Sequence, residues 1–413
     1  MEPLRIAIAG LGTVGGGVLA LLREHGERLA AITGRRIDVV AVSARDRRKK
    51  RAAPIGRIEW HDDALALARH PGVDVVLELI GGADGIAKTL CETALANGKA
   101  VVTANKALLA HHGTELARAA EKAGQPLRFE AAVAGGIPIV KALREGLVGN
   151  RIERVYGILN GTCNYILTEM RASRRDFAAV LAEAQAKGFA EADPRFDVDG
   201  IDAAHKLAIL ASLAFNCPVN FGAVHVEGIR HVSAIDIAYA DEFACRIKLL
   251  AIARVTERGI EQRVHPCLVP VESAIAHVDG VLNAVVAEGD FVGNTVFEGR
   301  GAGAGPTASA VVADLVDIAA GRHVYPFGVP TKLLKRLRAA PMREHVSRHY
   351  IRLMVYDRPG VIAEVSAVLR DQRISIESLV QRGRAEAADK AVAVVLITHD
   401  VDDAAMRRAL ERI

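Results

Sequence analysis

The first third of the chain alternates short apolar runs with amphipathic stretches. Residues 4–10 (LRIAIAG), 37–43 (IDVVAVS), 73–80 (VDVVLELI), 100–102 and 127–131 are aliphatic runs too short for helices, and most are apolar on both faces. That is the pattern of strands buried in a parallel sheet. Between them, residues 16–25, 85–97 and 108–123 carry apolar positions at helical spacing, the second closed by Gly98. Another helix opens after Ala134-Gly135-Gly136-Ile137-Pro138. The alternation predicts an α/β fold with a Rossmann-type, doubly wound parallel sheet over residues 1–140.

The middle of the chain is less regular. Residues 151–159 (RIERVYGIL) read as a strand with Val155 and Ile158 in the core, ending at the turn signal Asn160-Gly161. A helix follows from Tyr165 and another over residues 177–186. Residues 188–210 (GFAEADPRFDVDGIDAAHKLAIL) start as a loop, broken by Gly188, Pro194 and Gly200 and crowded with Glu191, Asp193, Asp197 and Asp199. From Ile201 the same stretch is helical. Residues 240–255 read as a strand with Ile247, Leu249, Ala251 and Ala253 on one face, and 265–269 and 280–286 as further strands. A glycine-rich run, residues 299–305, precedes an apolar helix over 308–320; it suits either a helix N-terminus facing an anion or a hinge. These elements predict a second, α+β domain over residues 141–325.

Residues 326–348, spotted with Pro326, Pro330 and Pro341, read as a linker. Strand patterns at 349–355, 374–382 and 390–398, helix patterns at 361–372 and from Val401, and an Asp357-Arg358-Pro359-Gly360 turn follow. This order over residues 349–413 is similar to an ACT domain, a small α+β module that binds amino acids. The usual fourth strand is expected to be missing, which bears on whether an effector site is intact.

Composition narrows the class. A 413-residue chain, 51% hydrophobic and 25% charged, accommodates two or three globular domains. A net charge of +4 gives no reason to expect nucleic acid. Five cysteines without a CxxC pair fit a reduced, cytoplasmic protein and not a structural zinc site. No apolar run reaches about 18 residues, so no membrane span is expected.

Three places carry candidate chemistry. Gly10-Leu11-Gly12-Thr13-Val14-Gly15 is GxGxxG directly between a strand and a helix, the context in which Gly10, Gly12 and Gly15 let a pyrophosphate approach backbone N–H groups. The second strand ends in Ser43-Ala44-Arg45 and runs into a basic stretch, residues 45–51, instead of ending in the acid that holds an NAD ribose. Arg45 therefore favours a 2′-phosphate and NADP, while Asp46 keeps NAD open. Lys106, in Thr103-Ala104-Asn105-Lys106, sits at the carboxyl edge of the sheet, where open α/β folds bind ligands, and suits contact with cofactor or substrate. Asp202 and Lys206 lie four residues apart on a helix that is apolar nearly all round. The same spacing makes ordinary surface ion pairs, but a lysine on so apolar a helix is desolvated, which lowers its pKa and suits it to proton transfer. Cys163 invites a thiol mechanism, yet has no specific base partner in the sequence and reads better as packing.

Taken in order, GLGTVG, TANK, AGGIPI, GILNGTCNYIL, GFAEADPRFDVDGIDAAHKLAILASLAF and GRGAGAGPTASAVVADL resemble homoserine dehydrogenases, in the form without an aspartokinase domain. The resemblance implies NAD(P)-dependent interconversion of L-homoserine and L-aspartate 4-semialdehyde, in the pathway to threonine, methionine and isoleucine. It implies that Lys206 is the proton donor and acceptor, and that Glu191 and Asp202 hold the homoserine amino group and nearby polar atoms. Lys106 would stand near cofactor and substrate; Thr13, Val14, Gly188 and Gly303 would touch the cofactor. Glu130, Val133, Gly135 and Ile137 would hold a monovalent cation, usually sodium, mostly through carbonyls. The resemblance also implies that residues 141–325 bind substrate and dimerise, with that domain's sheet as the interface of a homodimer or dimer-based oligomer, and that L-threonine is an effector. Two other readings remain: a thiol-dependent aspartate-semialdehyde dehydrogenase using Cys163, and a non-catalytic NADP-sensing ACT regulator.

Overall fold

Six parallel strands form the first layer, in the order Glu59–His61, Ile37–Ser43, Leu4–Ala9, Val75–Glu78, Ala100–Thr103, Leu127–Arg128. The computed structural model describes residues 2–49, 54–382 and 391–413. Lys50 and Arg51 of the basic run, and Lys390 at the start of an expected strand, lie outside the described residues. The sheet is apolar on both faces because helices cover both. On one side Ile6, Ile8, Val75 and Leu77 pack with Val18, Leu19, Val311 and Leu315 from the helices Thr13–Thr33 and Ala304–Ala319. Gly17 makes that helix pair close: a Cβ there would lie 2.7 Å from the Ala304 carbonyl oxygen. The chain thus returns to the nucleotide-binding layer near residue 304, inside the span assigned from sequence to the second domain.

The second layer is a mixed six-stranded sheet ordered Gly293–Arg300, Leu282–Gly289, Ile152–Ile158, Cys245–Thr256, Gly259–Pro270, His225–Val226. Against its inner face lies the helix Ile201–Phe215, whose residues from Asp202 to Phe215 are all buried. Its apolar side chains join those of the helix Lys106–Ala123 and of the parallel sheet in one core that spans both layers.

Residues 240–255 are not one strand. A helix, Ala234–Glu242, ends there and the strand begins at Cys245. The capping box of Ser233 and Asp236 starts that helix, a signal the β-branched alternation of the next residues obscured. The helices Gly161–Ser173 and Ala304–Ala319 begin about four residues earlier than expected, because Asn160 and Gly303 cap them. The expected strand 127–131 stops at Arg128 and turns into a single 3₁₀ turn, Glu130–Ala132.

The last unit is a three-stranded antiparallel sheet ordered Tyr350–Tyr356, Ala391–Thr398, Ile376–Gln381, with the helices Val361–Asp371 and Asp403–Arg412 on one face. Among the described residues no fourth strand joins it. The stretch leading into it is pinned to the second layer where Ile260 pairs with Ala339, and the unit's own first strand is tied to the helix Ala234–Glu242, where Asp236 accepts hydrogen bonds from Tyr350 (2.8 Å) and Arg352 (2.7 Å).

Candidate active site

The glycine-rich turn is built as the sequence requires. Gly10 has φ +99°, and a Cβ on it would meet the Leu79 carbonyl at 2.4 Å; a Cβ on Gly15 would lie 2.1 Å from the Gly10 carbonyl. These two glycines are demanded by the fold. Gly12 is different: it caps the helix Thr13–Thr33, and a Cβ there would meet nothing within 4 Å. The helix therefore presents its free N–H groups to open space, ready for an anion. Thr13 and Val14 form its first turn, and Arg45 is exposed two residues beyond Ser43, whose carbonyl accepts from Gly10 N–H at 2.9 Å.

Lys106 is aimed by its own loop. Glu78, at the end of its strand, accepts from the Ile80 and Gly81 amides and from the Thr103 hydroxyl (2.6 Å). Asn105 caps the helix through Leu108 N–H and donates to the Gly82 carbonyl. Lys106 is the first residue of that helix, and its Nζ stands 2.7 Å from Asp202 Oδ1.

Asp202 is where the layers meet. Its Oδ2 lies 2.7 Å from Lys206 Nζ and accepts from Asn160 Nδ2 at 2.8 Å. Lys206 also donates to the Leu159 carbonyl at 2.6 Å. Burial pushes the Asp202 carboxyl up, but the charges of Lys206 and Lys106 reverse this and hold it well below the usual carboxylate range. Burial likewise lowers the pKa of Lys206, with Asp202 opposing. For Lys106 burial is outweighed by Asp202, then Asp197 and Glu191, and its pKa is raised. The two amines sharing one carboxylate are thus driven in opposite directions, Lys106 holding its proton more tightly and Lys206 less.

The structure adds residues to this group. Asn160 also donates to Asp197 Oδ1 (2.8 Å), and the Thr162 hydroxyl lies 3.3 Å from Asp197 Oδ2. Asp197 was one of four loop carboxylates in the sequence, with nothing to single it out. Glu191 and Gly188 are exposed on the loop after the helix Phe177–Ala186; Gly188 has φ +74°. Gly303, φ +111°, caps the helix Ala304–Ala319. Cys163 is buried, and its thiol donates to the Asp197 carbonyl at 3.2 Å. Burial, then the nearby carboxylates, push that thiol well above its ordinary range, which leaves no thiolate for nucleophilic attack.

The candidate cation residues form a tight turn. Ala134 and Gly135 both have positive φ, 54° and 48°. No hydrogen bond reaches the carbonyls of the buried Val133 and Gly135 from the described residues. The Glu130 carbonyl accepts only a long bond, 3.4 Å from Val133 N–H, and the Ile137 carbonyl accepts from Ile139 N–H at 2.8 Å. The Glu130 carboxylate is engaged by the Val140 and Lys141 amides. Two unpaired carbonyls in a buried turn fit a hard cation.

Family models describe the same three units: a homoserine dehydrogenase NAD-binding domain over residues 10–130, homoserine dehydrogenase over 138–316, and an ACT domain over 349–413. The chain is 48% identical over 407 residues to a homoserine dehydrogenase of Pseudomonas aeruginosa, covering 97% of this chain and 93% of the relative. It is 46% identical over 420 residues to that of Neisseria gonorrhoeae, covering 100% and 95%. A solved homoserine dehydrogenase of Thiobacillus denitrificans superposes with TM-score 0.93 at 46% identity, covering 100% of this chain and 94% of that one. A hyperthermophilic archaeal homoserine dehydrogenase in complex with NADPH superposes with TM-score 0.67 at 26% identity, over 79% of this chain and all of the other. These matches favour neither the thiol-dependent dehydrogenase nor the non-catalytic regulator: the chain belongs to the homoserine dehydrogenases, oxidoreductases with an NAD-binding domain, and carries an ACT domain.

Proposed function

We propose that Lys206 is the group that exchanges a proton with the substrate oxygen in the interconversion of L-homoserine and L-aspartate 4-semialdehyde. One observation carries this reading. The buried Lys206 ammonium has three N–H bonds and spends two, on Asp202 Oδ2 and the Leu159 carbonyl. The third is free for a substrate oxygen. A bound nicotinamide supplies or takes the hydride. In aldehyde reduction Lys206 gives its proton to the oxygen that gains charge; in homoserine oxidation the neutral amine takes the hydroxyl proton. Lys106 and Asp202 orient the substrate, and Glu191 receives its ammonium group. Residues 141–325, apart from the helix Ala304–Ala319 that packs on the nucleotide-binding sheet, serve as the substrate and dimerisation domain.

The test is homoserine-dependent reduction of NADP by the full chain and by Lys206→Ala. We expect the variant to lose about three orders of magnitude in kcat while binding cofactor with unchanged affinity. Equal activity overturns the assignment.

We propose NADP as the cofactor, bound at Gly10, Gly12, Thr13, Val14, Gly15, Gly188 and Gly303, with Arg45 on the 2′-phosphate and Lys106 nearby. Arg45→Ala then raises KM for NADP and leaves KM for NAD in place. Sodium is the cation proposed for the carbonyls of Glu130, Val133, Gly135 and Ile137, and L-threonine the amino acid for the ACT domain; each is tested by its effect on initial rate. The outer face of the mixed sheet, where Tyr156 and Val296 flank Val286 across strands, is the proposed dimer interface; Val296→Asp shifting sedimentation to the monomer tests it. No helix among the described residues is long and apolar enough to cross a membrane, and a cytoplasmic setting suits five free cysteines.

A further inference from the structure

We infer that Asn160 is a positioning residue for proton transfer, holding Asp202 and Asp197 apart so that Asp202 serves the two lysines. The inference rests on Lys206 being the proton-transfer group.

Asn160 is buried, and each polar atom of its side chain is committed. Oδ1 accepts from Cys163 N–H at 2.8 Å and caps the helix Gly161–Ser173. The amide nitrogen has two hydrogens. One goes to Asp202 Oδ2 and the other to Asp197 Oδ1, both at 2.8 Å. A neutral group is thus wedged between two anions and satisfies one oxygen of each. The preceding residue adds the second constraint, because the Leu159 carbonyl takes Lys206 Nζ at 2.6 Å. A single turn at the end of the strand Ile152–Ile158 therefore fixes both the carboxylate and the amine of the pair.

The consequence is electrostatic. Lys206 is faced by Asp202 on its own helix, by Lys106 from the helix Lys106–Ala123, by Asp197 from the short helix Arg195–Val198, by the Cys163 thiol, and by neighbouring His205. If Asn160 were only a cap, any good capping residue could replace it. If it separates two carboxylates, the charge at this position sets the protonation of Lys206.

Two variants separate these roles. Asn160→Asp keeps a capping oxygen but adds a third carboxylate to the group, which favours the lysine ammonium. In homoserine oxidation, where Lys206 must be neutral, the acid limb of the kcat profile should move up by about one pH unit. Asn160→Ser keeps a cap but removes both donations; kcat should fall about tenfold or more while KM for NADP stays put. Thermal unfolding is measured for both.

An unmoved acid limb in Asn160→Asp, with Asn160→Ser losing only stability, overturns the inference and leaves a helix cap. The Lys206→Ala control distinguishes the two failures. If that variant is active, the assignment of Lys206 fails; if it is inactive while the Asn160 profiles stay fixed, only the positioning role fails.

Discussion

Asp202 and Glu261 are both buried carboxylates clamped between cations, and only Asp202 belongs to the proposed chemistry. Asp202 lies between Lys206 and Lys106, each 2.7 Å away. Glu261, on the second layer, lies between Arg254 (2.7 Å) and Arg263 (2.8 Å), with the His345 ring 3.2 Å away. Burial would raise the Glu261 carboxyl, but His345 and Arg254 hold it down to about 2. The difference is the cation. A guanidinium keeps its proton and offers a rigid fork, so Arg254 on the strand paired with Glu261 makes a permanent tie. An ammonium gives up its proton when burial lowers its pKa, as it does for Lys206. On the proposed assignment the first cluster moves a proton, whereas the second ties His345, in the segment before the ACT domain, to the sheet.

Exchanging the cations is the strongest way to break that comparison. Lys206→Arg keeps the positive charge and should still lose about three orders of magnitude in kcat, because no proton can leave. Arg254→Lys should leave kcat within twofold, since nothing at Glu261 reacts. Steady-state kinetics of both variants decides it.

Removing the anions comes next. Asp202→Asn should cost about 3 kcal/mol of stability, because it strands a buried ammonium. It should also move the acid limb of homoserine oxidation down, since Lys206 loses the charge that held its proton, the reverse of the shift expected for Asn160→Asp. Glu261→Gln should cost a comparable amount without moving that limb. Its folded pKa lies below the unfolded value of about 4.3, so its contribution is present above pH 4.3 and is lost as pH falls toward 2. Denaturation from pH 6 to 3 should thus be flatter in Glu261→Gln than in the full-length parent.

The smallest effect sits beside Lys206. Burial, then His111, lowers the pKa of His205 to about 4. Its contribution is present above the unfolded value of about 6.5 and is lost as pH falls through 4. His205→Gln should remove on the order of 2 kcal/mol of that acid slope, read by urea unfolding at pH 7 and pH 4.5.

What could be read without a structure follows the range of the interactions. The strand and glycine turn at residues 4–15 are local, and so is the four-residue step from Asp202 to Lys206; both were legible, although the helix after the turn runs Thr13–Thr33, beyond the expected residues 16–25. The contact that completes the Lys206 site comes from Leu159, 47 residues away, and no periodicity encodes it. The Val133 and Gly135 carbonyls leave no side-chain mark, so only resemblance pointed to them. The helix Ala234–Glu242 was hidden for a different reason: Ile235, Ile237 and Tyr239 alternate as a strand would, and the Ser233 cap outweighs them. The exposed edge strand Gly293–Arg300 gave too few apolar positions to register.

The most direct test of Lys206 as the proton carrier is chemical rescue. Lys206→Ala should regain homoserine oxidation when small primary amines are added, with rates that rise with amine basicity, and should gain nothing from tetramethylammonium, which has charge but no proton. Rescue by tetramethylammonium equal to that by methylamine, or a variant that turns over within a few-fold of the parent with no amine present, would contradict the account.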